Sequence, residues 1–177
     1  MTQTKSLFIS AGHSFTDPGA YGNGVSEADI VLEFRDLVAD ALRGHVVFTK
    51  DGDREENLPL AEAVAMARTR DVAVEFHCNA FSDAGATGVE TLSAPQGVAL
   101  GVELGEAVAV TLGITFRGAK GEDAGPHSRL AFVGQGGGVI LELFFITNPD
   151  DLQAYRTHKF DLSRVVADVL SEAVSNG

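Results

Sequence analysis

The sequence predicts a single α/β domain, residues 1–177, built on a mostly parallel, twisted sheet of about six strands with helices on both faces. Three observations predict it. Short apolar runs alternate with longer segments whose apolar residues recur at three- and four-residue steps, glycine-bearing loops punctuate them, and 45% of the 177 residues are hydrophobic, enough for one sizeable core.

The first strand is residues 6–10, a buried run entering Ala11-Gly12-His13. Residues 26–42 then read as a helix: Ile30, Val31, Phe34, Leu37, Val38, Ala41 and Leu42 share one stripe, and Ser26 is the N-cap, so Glu27 falls in the first turn. A second strand (45–49), a second helix (58–70) and a third strand (72–78) follow. Beyond the loop at 83–85 come a short strand at 89–92 and a strongly apolar helix at 98–112. Two further strands, 128–133 and 139–145, precede Asn148-Pro149-Asp150-Asp151, which opens helical segments to the C-terminus. Strand order is not legible from alternation.

Composition narrows the partners. A net charge of -12 repels polyanions, so nucleic acid and anionic membranes are not expected as partners. The one cysteine, Cys78, cannot form an intramolecular disulfide, and it reads as a small core residue. The N-terminal apolar run is too short for a signal segment or a membrane span, so cytoplasmic synthesis is expected. No separate module is visible, and the chain is expected to act as a monomer.

His13 and His77 each end an apolar strand beside small residues, and with Glu142 they are expected at the carboxyl ends of strands, where open α/β sheets gather their ligands. Taken singly, either fits a satisfied structural histidine. Taken together with a carboxylate, they meet the demand of a catalytic zinc site for three His/Glu ligands and an open position, although spacing does not select the carboxylate. Strand alternation places Glu75, His77 and Asn79 on one side and Phe76 and Cys78 on the other, which makes Cys78 a poor co-ligand. Glu142 lies within Val-Ile-Leu-Glu-Leu-Phe-Phe, where an isolated carboxylate costs several kcal/mol to bury. That favours a functional role; an ion pair with Arg117 or Lys120 is the alternative. Glu90 reads equally as a partner orienting a metal-bound histidine or as a surface ion pair, and His127 as a substrate contact or replacement ligand or as an exposed loop residue.

In order along the chain, SAGHSFTDPGA, Glu27, EFHCNA, GVETL and VILELFFITNPDD resemble the zinc-dependent N-acetylmuramoyl-L-alanine amidase family of cell-wall hydrolases, over residues 7 to about 151. The resemblance implies one zinc ion (Zn2+) held by His13, Glu27 and His77, with Glu142 catalytic, and peptidoglycan as substrate. Ser10, Ser14, Lys50, Glu75 and Cys78 depart from the family pattern, which usually has an acidic residue, glycine, arginine, serine and alanine there. The short join between the strand at Val89 and the helix at Val98 leaves no room for an inserted autoinhibitory helix.

Lacking both a signal segment and a wall-binding module, the chain is expected to act on the wall either as a phage or prophage endolysin released by a holin or as the catalytic domain of a larger exported amidase. A zinc peptidase or deacylase acting on another amide, and a wall-binding protein with a degraded site, are the alternative functions.

Overall fold

The structure, a computed structural model, describes residues 5–53, 56–121 and 130–175. Its elements are β1 (Leu7–Ala11), β2 (Tyr21–Gly22), β3 (Val25–Ser26), α1 (Glu27–Leu42), β4 (Phe48–Lys50), α2 (Leu60–Arg68) and β5 (Val72–Asn79), followed by β6 (Val89–Ser93), α3 (Val98–Leu112), β7 (Phe116–Lys120), α4 (Ala131–Gly134), β8 (Val139–Phe145) and α5 (Pro149–Ser175). Six strands form one sheet in the order β4-β1-β5-β8-β6-β7. The β1–β4, β1–β5, β5–β8 and β6–β7 pairs are parallel; only β6–β8 is antiparallel.

Period-two alternation divides the sheet between two unequal covers. Leu7, Ile9, Val74, Phe76, Leu141 and Leu143 face α1, α3 and α5, which also pack on one another and close the main core. Phe8, Ala73, Leu92 and Ile140 face the other way and meet Ala63 and Ala67 of α2 and Phe132 and Val133 of α4 in a smaller cluster. Two short helices cannot span that face. Its upper part, towards the C-terminal ends of β1, β5 and β8, carries Ser10, Glu75, His77 and Glu142 instead of apolar side chains.

Three local features differ from the sequence expectation. The strand expected at 128–133 is a helical turn from 131: the Leu130 carbonyl accepts from the Val133 and Gly134 amides, and Phe132 and Val133 are buried side by side rather than alternating. Residues 128 and 129, and His127, lie outside the described residues. The second strand starts only at Phe48, because the His45 and Val46 amides are spent on the Leu42 carbonyl at the end of α1. The β7 strand was not foreseen; its FRGAK sequence has no fully buried residue and contains Gly118 at φ 101°. No helix among the described residues is long and apolar enough to cross a membrane.

Candidate metal centre

Each site residue is delivered by a different element. The β1 strand ends at Ala11, and Gly12 turns the chain so that His13 stands beyond it; any Cβ at Gly12 would lie 2.1 Å from the His77 ring. Only glycine leaves that space. Gly19, at φ +66°, gives the same clearance beside Glu27 and His13, where a Cβ would fall 2.6 Å from Glu27 Oε2.

Glu27 opens α1 as expected. Ser26 Oγ accepts from the Asp29 amide at 3.2 Å while the Asp29 carboxylate accepts from the Ser26 amide at 2.8 Å, a reciprocal cap that fixes the helix start. The preceding β2–β3 hairpin turns on Asn23 and Gly24, both at positive φ, and Asn23 Nδ2 donates to the Ile146 carbonyl at 2.9 Å. The Glu27 carboxylate is thereby held between two chain segments, accepting from the Ala20 amide at 3.0 Å and the Cys78 amide at 2.9 Å.

His77 comes from β5 and faces Glu27, with Nδ1 3.0 Å from Oε1. His13 Nε2 lies 3.4 Å from Glu27 Oε2. One donor atom from each of His13, Glu27 and His77 lies within 4.8 Å of the other two. Zinc–ligand bonds of about 2.0–2.1 Å in a tetrahedron place ligand atoms about 3.3 Å apart, so the two measured separations suit such an ion. The donor set, two imidazoles and a carboxylate, suits it as well.

Glu142, on β8, is the register partner of His77 on β5 and of Glu90 on β6. Its Oε2 is buried without a hydrogen-bond partner among the described residues. The ion pair with Arg117 or Lys120 does not form: both cations go to Glu90, at 3.0 and 2.6 Å. Glu90 also accepts from Asn79 Nδ2 at 2.8 Å, and among the described residues its hydrogen bonds and ion pairs go to Asn79, Arg117 and Lys120 rather than to either site histidine. It is an ion-paired residue of the site's flank.

The three donors, Glu142, Glu75 and Asn79 share a cavity of about 490 Å³ walled by Leu92, Leu130, Phe132 and Ile140. His77 and Glu142 therefore stand on the thinly covered face of the sheet rather than beyond its edge; His13 alone lies past a strand end.

Charges in this cavity shape one another. Burial pushes the Glu27 carboxyl up, but His77, His13 and the Cys78 amide outweigh it and hold the group below its ordinary value. Burial pushes the His77 imidazole down, yet hydrogen bonds to Glu27 and Glu75 raise it well above the ordinary value. Burial lifts Glu142 to about 7; the His77 charge opposes, and Glu27, Glu90 and Glu75 add to the rise. Cys78 is buried, with its thiol pushed well up by burial first and then by Glu27 and Glu142.

A buried network behind the site went unrecognised in the sequence. Ser10 Oγ lies 2.8 Å from Asp51 Oδ2 and 3.2 Å from Glu75 Oε2, and Asp51 meets Arg35 at 3.3 Å. Arg35 is fully buried between Val31 and Val38. A cation on the apolar stripe of a helix was the available signal for a buried partner.

Residues 7–174 match the family described as N-acetylmuramoyl-L-alanine amidase. The Bacillus subtilis (strain 168) protein YqiI is 31% identical over 155 residues, covering 83% of this chain and 73% of YqiI. The structure of a Neisseria meningitidis protein assigned as an N-acetylmuramoyl-L-alanine amidase is similar with TM-score 0.90 and 41% identity, covering 97% of this chain and 96% of that one. The N-acetylmuramoyl-L-alanine amidase of Clostridium difficile 630 shares the fold at TM-score 0.84 and 20% identity, over 98% and 99% of the two chains.

Proposed function

Because the chain belongs to the N-acetylmuramoyl-L-alanine amidase family, we propose that it hydrolyses the amide bond between N-acetylmuramic acid and L-alanine in peptidoglycan, with zinc held by His13, Glu27 and His77. One observation carries the proposal beyond membership: two histidines and a carboxylate converge within 4.8 Å in a cavity that also holds a carboxylate oxygen, Glu142 Oε2, with no hydrogen-bond partner among the described residues. Zinc bound there supplies Lewis-acid polarisation of the scissile carbonyl and lowers the pKa of the attacking water towards about 7.

The chain's own residues do the rest. Glu142 accepts the proton of the attacking water at Oε2 and passes it to the departing L-alanine nitrogen, so the amine leaves neutral and the carboxylate is regenerated. A carboxyl lifted to about 7 suits both transfers at neutral pH. Leu92, Phe132 and Ile140 form the apolar wall that keeps bulk water from Glu142. The cell wall is then the place of action, reached by holin release if the chain is a phage or prophage endolysin, and by export if it is the catalytic domain of a larger amidase.

Turbidity loss of purified sacculi, with and without chelator, tests this directly. Lysis is expected to stop in chelator and return with zinc, and the products are expected to carry new L-alanine amines. New reducing sugars, cuts within the peptide, or sacculus binding without turnover would each defeat the proposal.

A further inference from the structure

Glu75 is a second carboxylate on His77, and nothing in the proposed reaction uses it. It is only 5% exposed, and such burial costs several kcal/mol unless the charge is held by specific partners. It has two. Oε1 lies 3.1 Å from His77 Nε2, and Oε2 lies 3.2 Å from Oγ of Ser10, its register partner on the neighbouring strand β1. The one hydroxyl proton of Ser10 is shared with Asp51, 2.8 Å away, which accepts from the Ala11 amide at 3.1 Å, so Glu75 is linked through Ser10 to the main chain of β1.

The His77 ring is thus gripped at both nitrogens, Nδ1 by Glu27 and Nε2 by Glu75. Nδ1 is the nitrogen that meets Glu27, one of the other two donors. If the ring gives Nδ1 to a metal, its one remaining proton belongs on Nε2, where Glu75 accepts it. A carboxylate so placed fixes the tautomer, stops the ring from turning over, and makes the imidazole a stronger ligand.

We infer that Glu75 is a positioning residue: it locks His77 as the Nε2–H tautomer and presents Nδ1 to the zinc ion. This inference rests on the proposed metal centre. Ser10 orients the carboxylate, and Gly12 leaves room for the ring.

The test compares the full chain with its Glu75→Gln and Glu75→Ala variants. Zinc affinity is measured by competition with a chromophoric chelator, and the tautomer by ¹⁵N-correlated NMR of the zinc-loaded protein, with His77 assigned by substitution. Wild type is expected to show a protonated Nε2 and a metal-shifted Nδ1. Glu75→Ala should bind zinc about 10–100-fold more weakly, with Glu75→Gln, which keeps an acceptor but not the charge, in between. Should Glu75→Ala fail to fold, the near-isosteric Glu75→Gln decides alone, by at least a several-fold loss with an unchanged circular dichroism spectrum. Ligation through Nε2, or variants that bind zinc as wild type does, would overturn the inference while leaving the amidase proposal intact. A wild-type chain that binds no zinc would overturn both.

Discussion

Glu142 and His77 are register partners on β8 and β5, yet their removal has different expected outcomes. Glu142 is outside the group of converging donors, so Glu142→Ala should keep zinc while hydrolysis falls by about 10²–10⁴, the usual worth of a general base. His77→Ala should lose metal and hydrolysis together. Zinc content and sacculus hydrolysis, measured on the same preparations, separate these; unaltered turnover in Glu142→Ala would remove its proposed role. What the sequence disclosed here followed from chemistry that is unusual in its context. A lone carboxylate in the apolar run of β8 was visible, whereas the choice between function and ion pair needed Arg117 and Lys120 to be seen on Glu90. Glu27, one carboxylate among many, was singled out only by resemblance. The departures at positions 10 and 75 meet in space: serine and glutamate are register partners on β1 and β5, and Glu75 places a carboxylate beside His77.

At the level of elements, the start of α1 matters most, because the residue after the cap is Glu27. Ser26→Ala removes the hydroxyl that accepts from the Asp29 amide, which should cost about 1 kcal/mol. In a chain of this size that is about 2–4 °C in Tm, measured by thermal unfolding in chelator; a shift below about 0.5 °C would mean that the cap contributes little. This element was legible because capping and a three-to-four period are both local. The β2–β3 hairpin was missed although Asn23-Gly24 is a strong turn signal, since its strands are only two residues each and show no alternation. The β7 strand was missed for another reason: it is a half-exposed edge whose role is to carry Arg117 and Lys120, so burial leaves little imprint on its sequence. The reversed direction of β6 was within reach. Residues 80–88 contain no helix, and a parallel return needs a crossover of a dozen residues or more.

For the whole molecule, the α/β class followed from alternation, but the siting of the centre on the weaker-covered face depends on how short α2 and α4 are, which tertiary packing decides. That siting concentrates buried carboxylates, and it sets the dependence of stability on pH. Burial lifts Asp51 from 3.8 to about 6, with Arg35, Ser10 and the Ala11 amide opposing, and Glu142 from 4.5 to about 7. Through these two groups the folded chain holds more protons than the unfolded chain between about pH 4 and pH 7, and their contribution to the unfolding free energy falls as pH rises. The stability linked to these two groups is fully present below their ordinary values and lost as pH passes about 6 and then about 7. Asp51 alone, fully buried, contributes roughly 3 kcal/mol of that slope. Glu27 and Glu90, held below the ordinary carboxylate value of 4.5, act in the opposite sense: their stability is present above that value and is lost as pH falls through and below it. Zinc bound at the proposed centre would reverse the trend at the high end, because its ligands must be deprotonated to bind it; free zinc at about 1,000 times its Kd would add about 4 kcal/mol. Thermal unfolding from about pH 4.5 to about pH 8 should thus give a falling Tm in chelator and a gap to the zinc-loaded protein that widens with pH. A chelated protein whose Tm climbs steadily between about pH 4.5 and about pH 7 would show that Asp51 and Glu142 are not the raised acids that their burial makes them.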